Sequence, residues 1–132
     1  MMDKSQAINY FWKSFGWPAY DENTVPDYIY DDQGNKIKVE PPYITYNVAM
    51  DSLENVVSLY ASLWDHSNSW KNISMKAKEI EERLGNGGQV IRLDKGALWI
   101  CKGAPFAQRM SDVDDSIRRI YLNIQVEFLT AY

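Results

Sequence analysis

The chain holds one cysteine, Cys101, and one histidine, His66. A lone cysteine excludes an intramolecular disulfide and any cysteine-rich zinc centre. Its setting in GALWICKG reads as a small, half-buried strand residue. A lone histidine confines triad chemistry to His66 with Asp65 and Ser62, Ser67 or Ser69. Neighbouring side chains on a strand point to opposite faces, so Asp65 is badly placed to orient His66, which reads as a surface residue at a strand end. Positive charge is also short. Fourteen Lys and Arg stand against 18 Asp and Glu, a net charge of −4, which excludes the basic footprint of a protein that wraps nucleic acid. No apolar run approaches the roughly 20 residues of a membrane helix. The opening MMDKSQAINYFWKSFG has neither a signal-peptide core nor a cleavage site, so the expectation is a soluble protein made in the cytoplasm, with no membrane partner.

What is present fits one domain, 1–132. The length of 132 residues suits a single core, and an aromatic share of 14% is high enough that some rings must serve a core or an interface. Residues 4–15 place Ala7, Ile8, Phe11, Trp12 and Phe15 on one helical stripe, with Asp3 or Ser5 as cap and Gly16 as stop. About 17–43 is a Pro-rich insertion, in which Asp27 to Tyr30 can pair with Lys36 to Val39 as a small hairpin. From Ile44 the period becomes two, with Ile44, Tyr46, Val48 and Met50 on one face. After a turn at Asp51 to Asn55, Val57, Leu59, Ala61 and Leu63 alternate with an unusually apolar second row that includes Tyr60 and Trp64.

SNSWKNISMKAKEIEERLGNGG returns to helix, with Trp70, Ile73, Ala77, Ile80 and Leu84 inward, serines 67 and 69 as caps and Gly85 as stop. GNGG follows a helix and precedes a strand, the reverse of a phosphate-binding loop, and reads as a helix stop. QVIRLDKGALWICKG reads as two short strands about a three-residue Asp-Lys-Gly turn. The last strand turns Ile120, Leu122, Ile124, Val126 and Phe128 inward. The predicted fold class is α+β: a mostly antiparallel β-sheet with two amphipathic helices packed on one face, plus the inserted hairpin or long loop.

KGAPFAQRMSDVDDSIRRI gathers Asp112, Asp114 and Asp115 between Arg109 and the pair Arg118 and Arg119. Counted from Asp112, an EF-hand loop needs glycine sixth and glutamate twelfth, but those positions hold Ile117 and Asn123. A two-metal site needs carboxylates from several rigid elements, and these three share one segment. The stretch reads instead as an interaction loop: Ser111 to Asp114 opens a short helical turn, and the acids pair with the flanking arginines. No catalytic, cofactor or metal residue is expected, and the chain is not read as an enzyme. Tyr60, Trp64, Trp99, Phe106 and Tyr121 could stack bases, but without a basic groove they suit core or subunit packing better.

Taken together, YITYNVAM, LYASLWDHSNSW, GALWICKGAPFAQ and DVDDSIRRIYLNIQVEFLT resemble the tail terminator, or tail completion, proteins of long-tailed phages of Gram-positive bacteria. The likeness spans about residues 42–130, and the longer stretch DYIYDDQGNKIKVE departs from it. The resemblance implies a structural protein of a phage or prophage virion, at the head-tail interface, assembled in the host cytoplasm. It implies a homo-hexameric ring that caps the tail tube, ends its growth, contacts tube protein and a head-completion or connector protein, and passes DNA without specific binding. An acidic lumen would let DNA slide. On that reading Trp64, Trp99, Phe106, Gln108, Arg109, Asp112, Asp114, Asp115, Arg118 and Tyr121 are the candidate interface. The alternatives are another neck or head-completion protein, or a small acidic inhibitor or immunity protein that masks a basic partner.

Overall fold

In the computed structural model, residues 2–48, 56–111 and 114–129 are described. Helix α1, Lys4–Lys13, starts where the sequence places its cap. The Asp3 carboxylate accepts from the Gln6 backbone at 2.8 Å, and the Gln6 side chain accepts from the Asp3 backbone at 2.9 Å, a reciprocal capping box. Its stripe of Ala7, Ile8, Phe11 and Trp12 is fully buried. Phe11 meets Trp12 and Phe15 edge to face, with centroids at 4.9 and 5.2 Å. Helix α2, Lys71–Leu84, buries Ile73, Ala77, Ile80 and Leu84 and ends at Gly85. The two helices are tied where α1 ends: Arg83 donates to the Ser14 hydroxyl at 2.6 Å, and Lys76 to the Phe15 carbonyl at 2.7 Å.

Six strands form the main sheet, in the order β1-β4-β5-β8-β7-β6: β1 Ala19–Asp21, β4 Tyr43–Tyr46, β5 Val57–His66, β8 Ile117–Leu129, β7 Gly96–Met110 and β6 Gln89–Leu93. Every pairing in it is antiparallel except β1 with β4. The sheet is strongly curled, and α1 touches both of its edge strands, β1 and β6, while α2 lies on β5, β7 and β8. One core therefore fills the trough: Ile44 and Tyr46 from β4, Leu59, Ala61 and Leu63 from β5, Leu98 and Ile100 from β7, and Ile120, Leu122, Ile124 and Val126 from β8. The chain is an α+β single domain, as the periodicities predict.

Four local expectations are corrected. The Pro-rich region 17–43 is not wholly an excursion, because β1 inside it joins the sheet as a parallel edge strand. Three residues give no periodicity to read. The expected hairpin is present as β2, Tyr28–Tyr30, with β3, Lys36–Lys38, in a separate two-stranded sheet. The strand from Ile44 stops at Tyr46, where the Asn47 side chain accepts the Tyr60 N–H at 2.6 Å in place of a backbone carbonyl. Leu93 pairs with Gly96, so the β6–β7 turn is two residues, Asp94 and Lys95, rather than three. Finally, β7 is not short but runs for 15 residues into the first half of the expected interaction loop. Met50 and the turn 51–55 lie outside the described residues.

Candidate functional site

The apolar second row foreseen on the longer strand becomes the outer face of the sheet, away from both helices. Register sets it. Ser62 stands opposite Tyr121 and Trp64 opposite Arg119, all turned away from the buried row of Leu63, Ile120 and Leu122. Tyr60 and Tyr121 stack, with centroids 5.4 Å apart and planes at 26°. Arg119 lies over the Trp64 ring at 4.6 Å and donates to the Ser62 hydroxyl at 3.1 Å, while the Trp64 N–H donates to Thr45 at 2.9 Å. Tyr20 and Tyr43 meet edge to face at 5.9 Å. These contacts fix each ring on a rigid sheet, so little rotamer freedom is left to lose on binding.

Two phenols and the thiol of this face are shifted towards their protonated forms. The Tyr60 hydroxyl donates to Glu22 at 2.7 Å, and that bond pushes its pKa above the ordinary phenol value. Burial, then neighbouring Tyr20, pushes the Tyr43 phenol up. Burial, then the charge of Glu127, likewise raises the Cys101 thiol, which disfavours the thiolate a nucleophile needs. His66 is exposed at the end of β5 and Asp65 is buried on the opposite side. Among the described residues, no three His, Cys, Asp or Glu side chains are grouped to hold a metal ion.

The stretch expected as a loop is an arm of paired strands. Beyond Lys102, opposite Ile124, the ladder resumes at Ala107, opposite Leu122. Four residues, Gly103 to Phe106, thus stand against Asn123 alone, which donates to the Pro105 carbonyl at 3.1 Å. This bulge tucks Phe106 into the core at 8% exposure, so Phe106 is not an exposed interface residue as the sequence reading had it. The alternation rule had no way to anticipate the reversal, since the bulge breaks the period. Past it, Gln108, Arg109 and Met110 are exposed.

The arginines of the arm pack on aromatic rings. Arg109 and Arg118 both lie over the Trp70 ring at the start of α2, at 4.8 and 5.2 Å, and Arg118 donates to the Asn68 carbonyl at 2.8 Å. All three arginines of this segment are therefore held on indole rings. The expected cap at Ser111 to Asp114 includes 112 and 113, which lie outside the described residues; after it the chain turns tightly, with the Ile117 N–H reaching the Asp114 carbonyl at 3.0 Å and the Asp114 carboxylate accepting from the Ser116 backbone and hydroxyl at 2.8 and 2.7 Å. Those bonds, side-chain first, hold the Asp114 carboxyl below the usual range, with a smaller contribution from His66. Asp114 and Asp115 are exposed at the tip; Asp112 lies outside the described residues.

Trp99 sits apart from the other rings, near the β6 edge, opposite Val90. Its N–H donates to the Gly87 carbonyl at 2.7 Å. A β-carbon on Gly88, whose φ is +74°, would fall 2.4 Å from the Ile100 carbonyl and 2.8 Å from the Trp99 nitrogen. The GNGG stretch is thus more than a helix stop, because its bare backbone lets the chain close onto β7. A second glycine after the stopping one was the available signal.

The candidate residues therefore divide. Trp64, Tyr121 and Arg119 meet on the outer face; Arg109 and Arg118 meet at Trp70; Asp114 and Asp115 cap the arm; Trp99 is separate; Phe106 is core. Sequence reasoning missed Trp70 as the hub of two arginines, having assigned it to the buried stripe of α2. In comparisons with known proteins, no family model and no curated protein matches the chain.

Proposed function

We propose that the chain is a structural assembly protein of the tail-terminator kind, which caps a phage tail tube, ends its growth and presents the surface that joins tail to head, as a homo-hexameric ring. The observation that carries this reading is the outer sheet face, where Tyr20, Tyr43, Tyr60, Trp64 and Tyr121 form a locked, partly exposed aromatic surface on a chain that needs none of them for its core. Rigid aromatic surface of this sort suits protein contact, since Tyr and Trp carry large contact area at low entropic cost. The arm supports the same reading, because Asp114 and Asp115 are exposed at its tip. Net charge of −4 suits a conduit for DNA better than a grip on it.

Native mass by light scattering over a wide concentration range, with negative-stain images and a pull-down on purified tail tubes, tests the proposal. A sixfold ring that binds one end of the tubes is the expected result. A chain that stays monomeric and ignores tubes overturns it, and one-to-one capture of a basic protein by that monomer would favour the inhibitor reading.

A further inference from the structure

Two facing residues of the sheet each carry a buried polar atom without a partner. Asp65 on β5 and Arg118 on β8 are directly opposed in the ladder, and both turn to the helix side, along the rows of Leu63 and Ile120. Asp65 is only 6% exposed, yet its Oδ2 accepts no hydrogen bond, and the buried Nε of Arg118 donates none. Directly opposed side chains have β-carbons roughly 4.5 to 5.5 Å apart, well within the reach of a guanidinium. Among the described residues, however, no ion pair joins the two.

Arg118 is engaged elsewhere. Its Nη2 donates to the Asn68 carbonyl at 2.8 Å, in the stretch that leads from β5 to α2, and its guanidinium lies 5.2 Å from the centre of the Trp70 ring. That seat straps the arm to the start of α2, beside Arg109 on the same ring. Its cost falls on Asp65, because a carboxylate oxygen taken out of water without a donor loses its solvation and gains nothing in return. Turning Arg118 to Asp65 would satisfy both orphaned atoms at once. What the turn gives up is partly replaceable, since Asn68 is exposed and water can take the place of the guanidinium on its carbonyl. Nor does Asp65 meet a new desolvation penalty, being buried already.

We infer that Arg118 is a latch with two seats: on Asn68 and Trp70 it holds the arm to the start of α2, and on Asp65 it lets both go. The exchange sets one charge-assisted hydrogen bond and a ring contact against an ion pair, so the two seats are close enough in free energy to be biased from outside. Released, the arm keeps Arg109 on Trp70 and the bond from the Ser67 N–H to the Ser116 carbonyl at 2.7 Å. The motion is therefore a local loosening rather than an unfolding. It needs no second copy and stands apart from the ring reading.

A double-mutant cycle in two backgrounds tests the latch. Asp65→Asn and Arg118→Gln, singly and together, are compared by urea unfolding in the parent and in Trp70→Ala, which weakens the first seat. In the parent the combined effect on the unfolding equilibrium should lie within about twofold of the product of the single effects. In Trp70→Ala, where Arg118 moves to Asp65, a coupling of about tenfold or more is expected. Equal coupling in both backgrounds would mean a fixed ion pair, and none in either would mean that Arg118 never leaves Asn68; each result overturns the latch. Should a variant fail to fold, relaxation dispersion on the parent decides alone. One exchange process shared by the Arg118 Nε–H and the Trp70 indole N–H sustains the two seats, and its absence removes them.

Discussion

Two hairpins of this molecule obey the same local rules and meet opposite fates. In β7–β8, Leu98, Ile100, Ile120, Leu122 and Ile124 alternate with polar or aromatic residues and are buried. In β2–β3, Ile29 and Ile37 face each other in register and remain exposed. Alternation produces pairing in both, but burial follows only where a helix lies over the row: α2 covers β7 and β8. Tyr28 and Lys36 illustrate what the uncovered ribbon does instead, with the ammonium 4.0 Å over the ring, a contact worth about 0.5 to 1 kcal/mol at an exposed site. Strand pattern therefore decides local geometry, and topology decides whether that geometry contributes to stability.

The comparison breaks most violently if the cover is removed. Ile80→Asp places a carboxylate in the fully buried stripe of α2, where the lost burial of about 1.5 to 3 kcal/mol adds to the desolvation of a charge. The expected outcome is loss of the cooperative thermal transition followed by circular dichroism; a melt like that of the parent would show that α2 is not the lid of the core. Next in size is Gly96→Ala, at the start of β7. Its φ is +120° and the added carbon would lie 2.2 Å from the Leu129 carbonyl, so the β7–β8 ladder must open at that end. A cost of about 2 kcal/mol or more is expected in urea unfolding, with the slope of the transition unchanged.

Much of this frame was readable before any coordinates. Long periodic segments such as 71–84 and 117–129 declare their type and buried face because every residue repeats the same constraint. The short β1 declared nothing, and the bulge at Gly103 to Phe106 reversed the expected exposure of Phe106, since a break in period is invisible to a rule built on period. For the candidate site, the sequence showed which rows were aromatic but not the diagonal partnership of Tyr60 with Tyr121. Nor did it show that Trp70, far away in sequence, gathers Arg109 and Arg118. Those contacts depend on how strands and a helix end meet, which local spacing does not encode.

Trp70 offers a milder way to sharpen the contrast, by making the long hairpin locally resemble the short one. Trp70→Ala removes the ring beneath both arginines, each contact worth about 0.5 to 1 kcal/mol. Hydrogen exchange at 107–110 should then quicken several-fold while the inner parts of β5 and β8 keep their protection. Equal acceleration throughout would mean that Trp70 supports the core rather than the arm.

Acid compares the two turns directly. The Asp31 carboxyl is held below its ordinary value chiefly by the Asn35 backbone N–H, and Asp114 chiefly by the Ser116 hydroxyl. A depressed folded-state pKa contributes stability that is present above the ordinary value of 3.8 and is lost as pH falls through the lower, folded one. Carboxyl resonances of both residues followed by NMR should therefore titrate below 3.8, and the amide shifts of Asn35 and Ser116 should move with them. Midpoints at or above the ordinary value would remove these bonds from the account of either turn.

The smallest expected effect is also the sharpest statement of the difference between the hairpins. Ile29→Ser with Ile37→Ser removes the apolar pair from β2–β3, but neither side chain is buried, so global unfolding should shift by no more than about 0.5 kcal/mol. The turn should survive as well, since its bonds are made by Asp31, Gln33, Gly34 and Asn35 rather than by the isoleucines. In the long hairpin the same change at Ile120 empties a core position, and a loss of about 2 to 5 kcal/mol is expected, the range for truncating a buried isoleucine. Paired urea melts of the two variants decide it. A hairpin variant that lost as much as Ile120→Ser would mean that β2–β3 rests on the body after all.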